Sequence, residues 1–209
     1  MAALPGAFGQ LPLAELHLHL EGSISPATAC ELAARYATQL SPDEVVARYA
    51  YTDFQGFLEA FKWVTSFLRS PNDYALITRR LCEDLRRQNV RYAELTVSVG
   101  VMLLRKQDAL ANFEAMGSAT TAENDFPRIA WIFDAARQFG PGSAMEVARL
   151  AARAKSEGVV AFGMGGDELF LPAAEFRAAY DYAAAQGFPV VRVKVWETPT
   201  SVAEYHPAD

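Results

Sequence analysis

An α/β fold around a parallel sheet is what this sequence predicts, on two observations. Five short strand-like runs recur along the chain, and a helical pattern separates each from the next. Strands alternating with helices close into right-handed crossovers, so neighbouring strands run parallel. The first of these runs ends in LHLHLEGS, residues 16–23, which holds two of the three histidines in the chain.

The elements follow in order. Leu13 to Leu20 alternates Leu with Glu or His, the period of a strand. Ser25 and Pro26 read as an N-cap and a first-turn proline, opening a helix to Tyr36. A helix-rich stretch at about 42–88 comes next: Pro42 to Tyr49, Asp53 to Leu68, and a helix opened by Pro71. Val90 to Val97 is the second strand and Gln107 to Asn124 a helix. Arg128 to Phe133 is the third strand, followed by a helix from Gly142 to Ser156. Val159 to Gly163 is the fourth strand, Pro172 to Gln186 a helix, and Val190 to Val195 the fifth strand. Five parallel strands suit either a doubly wound open sheet or part of a (β/α)8 barrel. No GxGxxG follows the first strand, and GMGGDE at 163–168 lacks phosphate-loop spacing.

Composition narrows the function classes. The chain has 209 residues, 51% hydrophobic and 21% charged, enough to bury a sizeable core. A net charge of −6 without a Lys/Arg cluster argues against nucleic-acid and membrane-surface partners. Cys30 and Cys82 lie far apart within helical patterns and read as buried thiols of a reducing compartment. With no secretory pattern at the start, the expected location is the cytoplasm.

On a strand, residues i and i+2 share a face, so His17 and His19 point together and Leu16, Leu18 and Leu20 point away. In a barrel the leucines would pack on the outer helices and the imidazoles would enter the mouth. Two neutral imidazoles side by side suit a divalent metal, zinc foremost, although zinc normally takes at least three protein ligands. The competing reading is two polar residues on a half-exposed strand. Glu21 either lines the same site or caps the next helix. Gly165 and Gly166 allow close backbone approach to a ligand, or form a loop ahead of the solvated acids Asp167 and Glu168. Phe57 and Phe61, at i and i+4, share a helical face that belongs to a core or to a pocket.

Four segments, PLAELHLHLEGSISP, FLEAF, NVRYAELTVSVG and VVAFGMGGDE, together resemble the adenosine deaminase family of metal-dependent purine deaminases, in that family's order. The resemblance runs to about residue 189. It implies an incomplete (β/α)8 barrel at 1–209, a single partial barrel domain with the helical insert at about 42–88. It implies Zn2+ at the mouth, with His17 and His19 as its first two ligands. The implied reaction is attack of a metal-activated water on the purine carbon bearing the amino group, with loss of ammonia. Gly166 matches the glycine whose backbone approaches the purine, Glu21 an acidic position near the ribose or its substitute, and Phe57 and Phe61 aromatics over the pocket. The implied partner is a small-molecule purine. Glu21, standing where many adenosine deaminases carry Asp, looks more like bacterial relatives acting on adenine or on modified adenosines such as aminodeoxyfutalosine.

The sequence departs from the family where the motif T-V-H-A-G-E should supply the third zinc histidine and the proton-transfer glutamate. Here it reads VVRVKVWETPTS. His206 and Glu197 match no family role, so no catalytic residue is assigned, and the family's later His and Asp pair has no counterpart. The chain as written is therefore expected to bind zinc weakly, to be inactive, and to be marginally stable or to self-associate through exposed barrel edges. Two alternatives stand beside this: a catalytically dead deaminase fragment, or another amidohydrolase-type metal-dependent barrel hydrolase, for which Lys194 is the nearest candidate for a metal-bridging residue.

Overall fold

In the computed structural model, residues 11–166, 170–188, 193–198 and 201–205 are described. Strand β1 is Leu13–His19. Helices α1 (Pro26–Ala34), α2 (Pro42–Tyr49), α3 (Phe54–Thr65) and α4 (Pro71–Arg87) lead to β2, Val90–Val97. Helices α5 (Val99–Leu104) and α6 (Ala109–Thr120) precede β3, Arg128–Ala136. Then come α7 (Gly140–Arg153), β4 (Val159–Gly165), α8 (Arg177–Ala185), β5 (Val193–Thr198) and β6 (Ser201–Tyr205).

Local chemistry sets the helix starts. The Ser25 hydroxyl accepts from the Thr28 amide and the Asp53 carboxylate from the Gly56 amide. Ser41 and Glu44 form a reciprocal capping box at α2. Pro26, Pro42 and Pro71 take first-turn positions, where the missing N–H costs nothing.

β1 to β4 form one parallel sheet in the order β1-β2-β3-β4. Strands stay in sequence order, with no reversal around β1, as in a barrel and unlike a doubly wound sheet. The outer face of the sheet is apolar. Ala93, Leu95 and Val97 on β2, and Trp131, Phe133 and Ala135 on β3, are buried beneath helices. Phe113 of α6 packs edge-on against Trp131 and Phe133, with ring centroids 5.6 and 4.9 Å apart. The architecture is thus an incomplete α/β barrel of four parallel strands.

Two expectations need correction. β5, expected to continue the parallel sheet, instead pairs antiparallel with β6, Val193 opposite Tyr205 and Val195 opposite Ala203. Parallel barrel strands are covered on both faces and read as near-continuous apolar runs, whereas Val193-Lys194-Val195 alternates apolar with charged. Such alternation suits an antiparallel pair with one solvated face. Residues 190–192 lie outside the described residues. Leu16, expected against outer helices, is 60% exposed. β1 is an outer strand, and a register shift between Glu15 and Leu18 adds a residue to β1 relative to β2 at this point. Leu18 packs on the core and Leu20 is fully buried, as expected.

Candidate functional site

β1 delivers both histidines to the C-terminal end of the sheet. Their ring centroids are 5.5 Å apart, on the same side of the strand. His17 is exposed and His19 half-buried. Burial, and then the neighbouring His17, hold the His19 imidazole below its ordinary pKa. His19 therefore favours the neutral form that a metal requires.

The chain turns at once after β1. The Leu20 amide donates to the Thr96 carbonyl at 2.9 Å, and Glu21–Ser23 forms a single 3-10 turn. Glu21 is only 2% exposed. Its carboxylate accepts from the Ser98 amide at 2.9 Å and engages the Ser98 hydroxyl at 3.3 Å, just ahead of α5. Glu21 thus ties the end of β1 to the end of β2. Burial pushes its pKa up, against the hydrogen bonds from Ser98.

α3 packs against this turn. It brings Phe57 and Phe61 together at 6.0 Å, with Tyr51 edge-on to Phe57 at 5.5 Å and Phe54 stacked on it at 6.0 Å. The outer members, Tyr51 and Phe54, are exposed.

At the other side of the sheet, β4 ends in bare backbone. Gly163 and Gly165 carry no side chain on the inner face, and Gly166 follows at φ +95°, a conformation that favours glycine. Asp134 of β3 fills the space. A Cβ on Gly163 would meet Asp134 Oδ1 at 2.7 Å, and one on Gly165 would meet Oδ2 at 2.6 Å. Burial, and then the charge of Glu21, raise the Asp134 carboxyl to about 7. Asp167 and Glu168 lie outside the described residues.

The structure therefore brings His17 to His19, Glu21 to Ser98, and Phe57 to Phe61. It places Gly166 at the end of the opposite outer strand. Sequence reasoning missed Asp134 and Ser98. The signal for Asp134 was a lone acid inside the apolar run RIAWIFDAA. Among the described residues no group of three or more His, Cys, Asp or Glu is placed to hold a metal ion. The pair His17–His19 fits two positions of a zinc site and leaves the rest of the shell open. A cavity of about 440 Å3 beside Ser66, Arg69, Arg105 and Lys106 includes none of these residues.

A family model described as adenosine deaminase matches residues 12–193. The chain belongs to the adenosine deaminase family. Among the relatives of this family member is an aminodeoxyfutalosine deaminase of Streptomyces coelicolor, 39% identical over 184 residues, 85% of this chain and 48% of that protein. An adenine deaminase of Rhizobium johnstonii is 31% identical over 175 residues, 83% of this chain and 54% of that protein. An adenine deaminase from Arthrobacter aurescens has a crystal structure that superposes with a TM-score of 0.76 at 28% identity, covering 84% of this chain and 55% of that one. An amidohydrolase from Burkhoderia ambifaria solved with bound Zn gives a TM-score of 0.76 at 26% identity, covering 87% and 51%. The chain spans about half the length of the relatives it matches.

Proposed function

We propose that this chain carries the metal-holding and purine-receiving part of a deaminase site for a 6-aminopurine. The observation that carries the reading is the pair of adjacent imidazoles, His17 and His19, at the C-terminal end of β1 in a sheet of barrel order. His17 and His19 would hold zinc, and a metal in such a place supplies activation of water at neutral pH. Gly166 lets the backbone approach the purine, and Phe57 and Phe61 cover it from α3. Glu21 acts from behind: its carboxylate is committed to Ser98, so it positions the β1 end, and any contact with substrate requires that bond to yield.

The substrate reading is supported from two sides. The relatives named above are an aminodeoxyfutalosine deaminase and adenine deaminases, so the shared chemistry is a purine amino group. The exposed rings of Tyr51 and Phe54, continuous with Phe57, favour a purine carrying a further apolar group, such as a 5′-modified adenosine.

The segment VVRVKV stands where the family carries its third zinc histidine and its glutamate. Loss of a general acid typically costs about 10²- to 10⁴-fold in rate, and an incomplete metal shell adds to that. On this reading the chain binds zinc and purine weakly and does not turn substrate over. Leu16, exposed on β1, and Val160, 49% exposed on β4, supply apolar surface for self-association at the two outer strands. The reading also places the chain in the cytoplasm; among the described residues no helix is long and apolar enough to cross a membrane.

The test is calorimetric titration of the chain with zinc, then with adenine, adenosine and a 5′-modified adenosine, alongside an ammonia assay. Zinc-dependent purine binding without ammonia release is expected. Absence of purine binding contradicts the site assignment, and rapid ammonia release contradicts the reading of VVRVKV.

A further inference from the structure

Asp134 is an acid with no partner among the described residues, near the C-terminal end of β3. Its neighbours Phe133 and Ala135 are fully buried toward the helices, so Asp134 faces the opposite side, with Ile132. In register it stands beside Gly163, and Ala136 beside Gly165. The clearances of 2.7 and 2.6 Å show that its carboxylate occupies the space that two β4 side chains would take. Among the described residues, nothing donates a hydrogen bond to it and no cation pairs with it. The charged group that reaches it is another acid, Glu21. Held close to another acid and without a protein donor, this carboxyl group is open to a donor that a ligand or water supplies.

A second acceptor lies alongside. The Gln138 side-chain oxygen is buried without a hydrogen-bond partner among the described residues. It sits against Gly166, where an added Cβ would stand 2.0 Å from it. An unpaired carboxyl group beside Gly163 and Gly165 and a buried unsatisfied amide oxygen beside Gly166 thus lie along the end of β4.

We propose that Asp134 is a specificity-determining residue: its carboxyl group, standing where Gly163 and Gly165 leave β4 bare, accepts a hydrogen bond from an N–H or O–H donor on the ligand held beside Gly166. This rests on the purine reading above. Two ligand classes carry such a donor away from the amino group: a free purine base, through its ring N–H, and a nucleoside, through its sugar hydroxyls.

The experiment uses the full chain loaded with zinc and measures binding of two ligand pairs by calorimetry. Adenine is compared with 9-methyladenine, and adenosine with 2′,3′-dideoxyadenosine. The unmodified member of one pair should bind about ten- to a hundredfold tighter, the range of a hydrogen bond to a charged group. Selectivity in the first pair identifies the ring N–H, and in the second the sugar hydroxyls. Asp134→Ala should collapse that selectivity, and the near-isosteric Asp134→Asn should reduce it while keeping the circular dichroism of the parent. Equal binding within both pairs, or selectivity that survives in both variants, overturns the proposal and leaves the purine reading standing. A parent chain that binds no purine overturns both.

Discussion

The outer strands β1 and β4 end at the same rim of the sheet with opposite chemistry. β1 presents two imidazoles, 5.5 Å apart, and Glu21 behind them braced on Ser98. β4 presents glycine at 163, 165 and 166, and the inner space beside it belongs to Asp134 of the neighbouring strand. One end carries paired imidazole side chains; the other lacks side chains, and an acid from the neighbouring strand takes their space. Charge follows the same division. Burial, and then His17, lower the pKa of His19, while burial and Glu21 push the Asp134 carboxyl up to about 7.

This contrast can be broken at either end. The largest effect belongs to β1. His17→Ala or His19→Ala removes half of the ligand pair. Losing an outer-shell partner alone costs about 10- to 100-fold in metal affinity, so zinc titration should show a loss of at least that size for each variant. A loss confined to one of them would mean that the other imidazole is a bystander.

Next comes β4. Gly163→Ala drives a methyl into the Asp134 carboxylate and should destabilise the fold by about 1–3 kcal/mol, the usual scale of overpacking. In urea unfolding, the double variant Gly163→Ala with Asp134→Ala should recover most of that loss, because the clash partner is gone. Simple additivity of the two would show that Asp134 does not fill the glycine space.

The smallest effect is in pH dependence. A carboxyl raised from its ordinary value near 3.9 to about 7 in the fold favours the folded state when protonated. That stabilisation is complete below about pH 4 and is lost as pH rises through about 7. Asp134→Asn cannot ionise, so its urea midpoint should fall less than the parent's between about pH 5 and about pH 8. Parallel pH profiles for parent and variant would count against a raised Asp134.

Much of β1 was legible in the sequence, because its information is local. The alternation of HLHLEGS places both histidines on one face without reference to any other strand. β2, β3 and β4 were legible for a related reason: each is a mostly apolar run between helices. The end of β4 was only half legible. Its glycines stand out in GMGG, yet the residue that fills their space lies about thirty positions earlier, and only strand pairing reveals it. Helix α5 escaped notice because VGVMLL is apolar throughout and carries no period. β5 was misassigned in partner and direction: the alternating charge of Val-Arg-Val-Lys-Val fits a barrel interior poorly, but the pattern alone does not name β6 as the antiparallel partner. Glu21 was balanced between lining the site and capping a helix, and its two contacts to Ser98 show which way the carboxylate turns.

The claim that bears the most weight is that His17 and His19 act together on one metal. X-ray absorption at the zinc edge of the zinc-loaded chain tests it most directly. The account predicts two imidazole-type nitrogen neighbours at roughly 2.0–2.1 Å, the remaining positions filled by oxygen, with one imidazole lost in each single histidine variant. A zinc shell without imidazole scattering, or one unchanged by either variant, would contradict it.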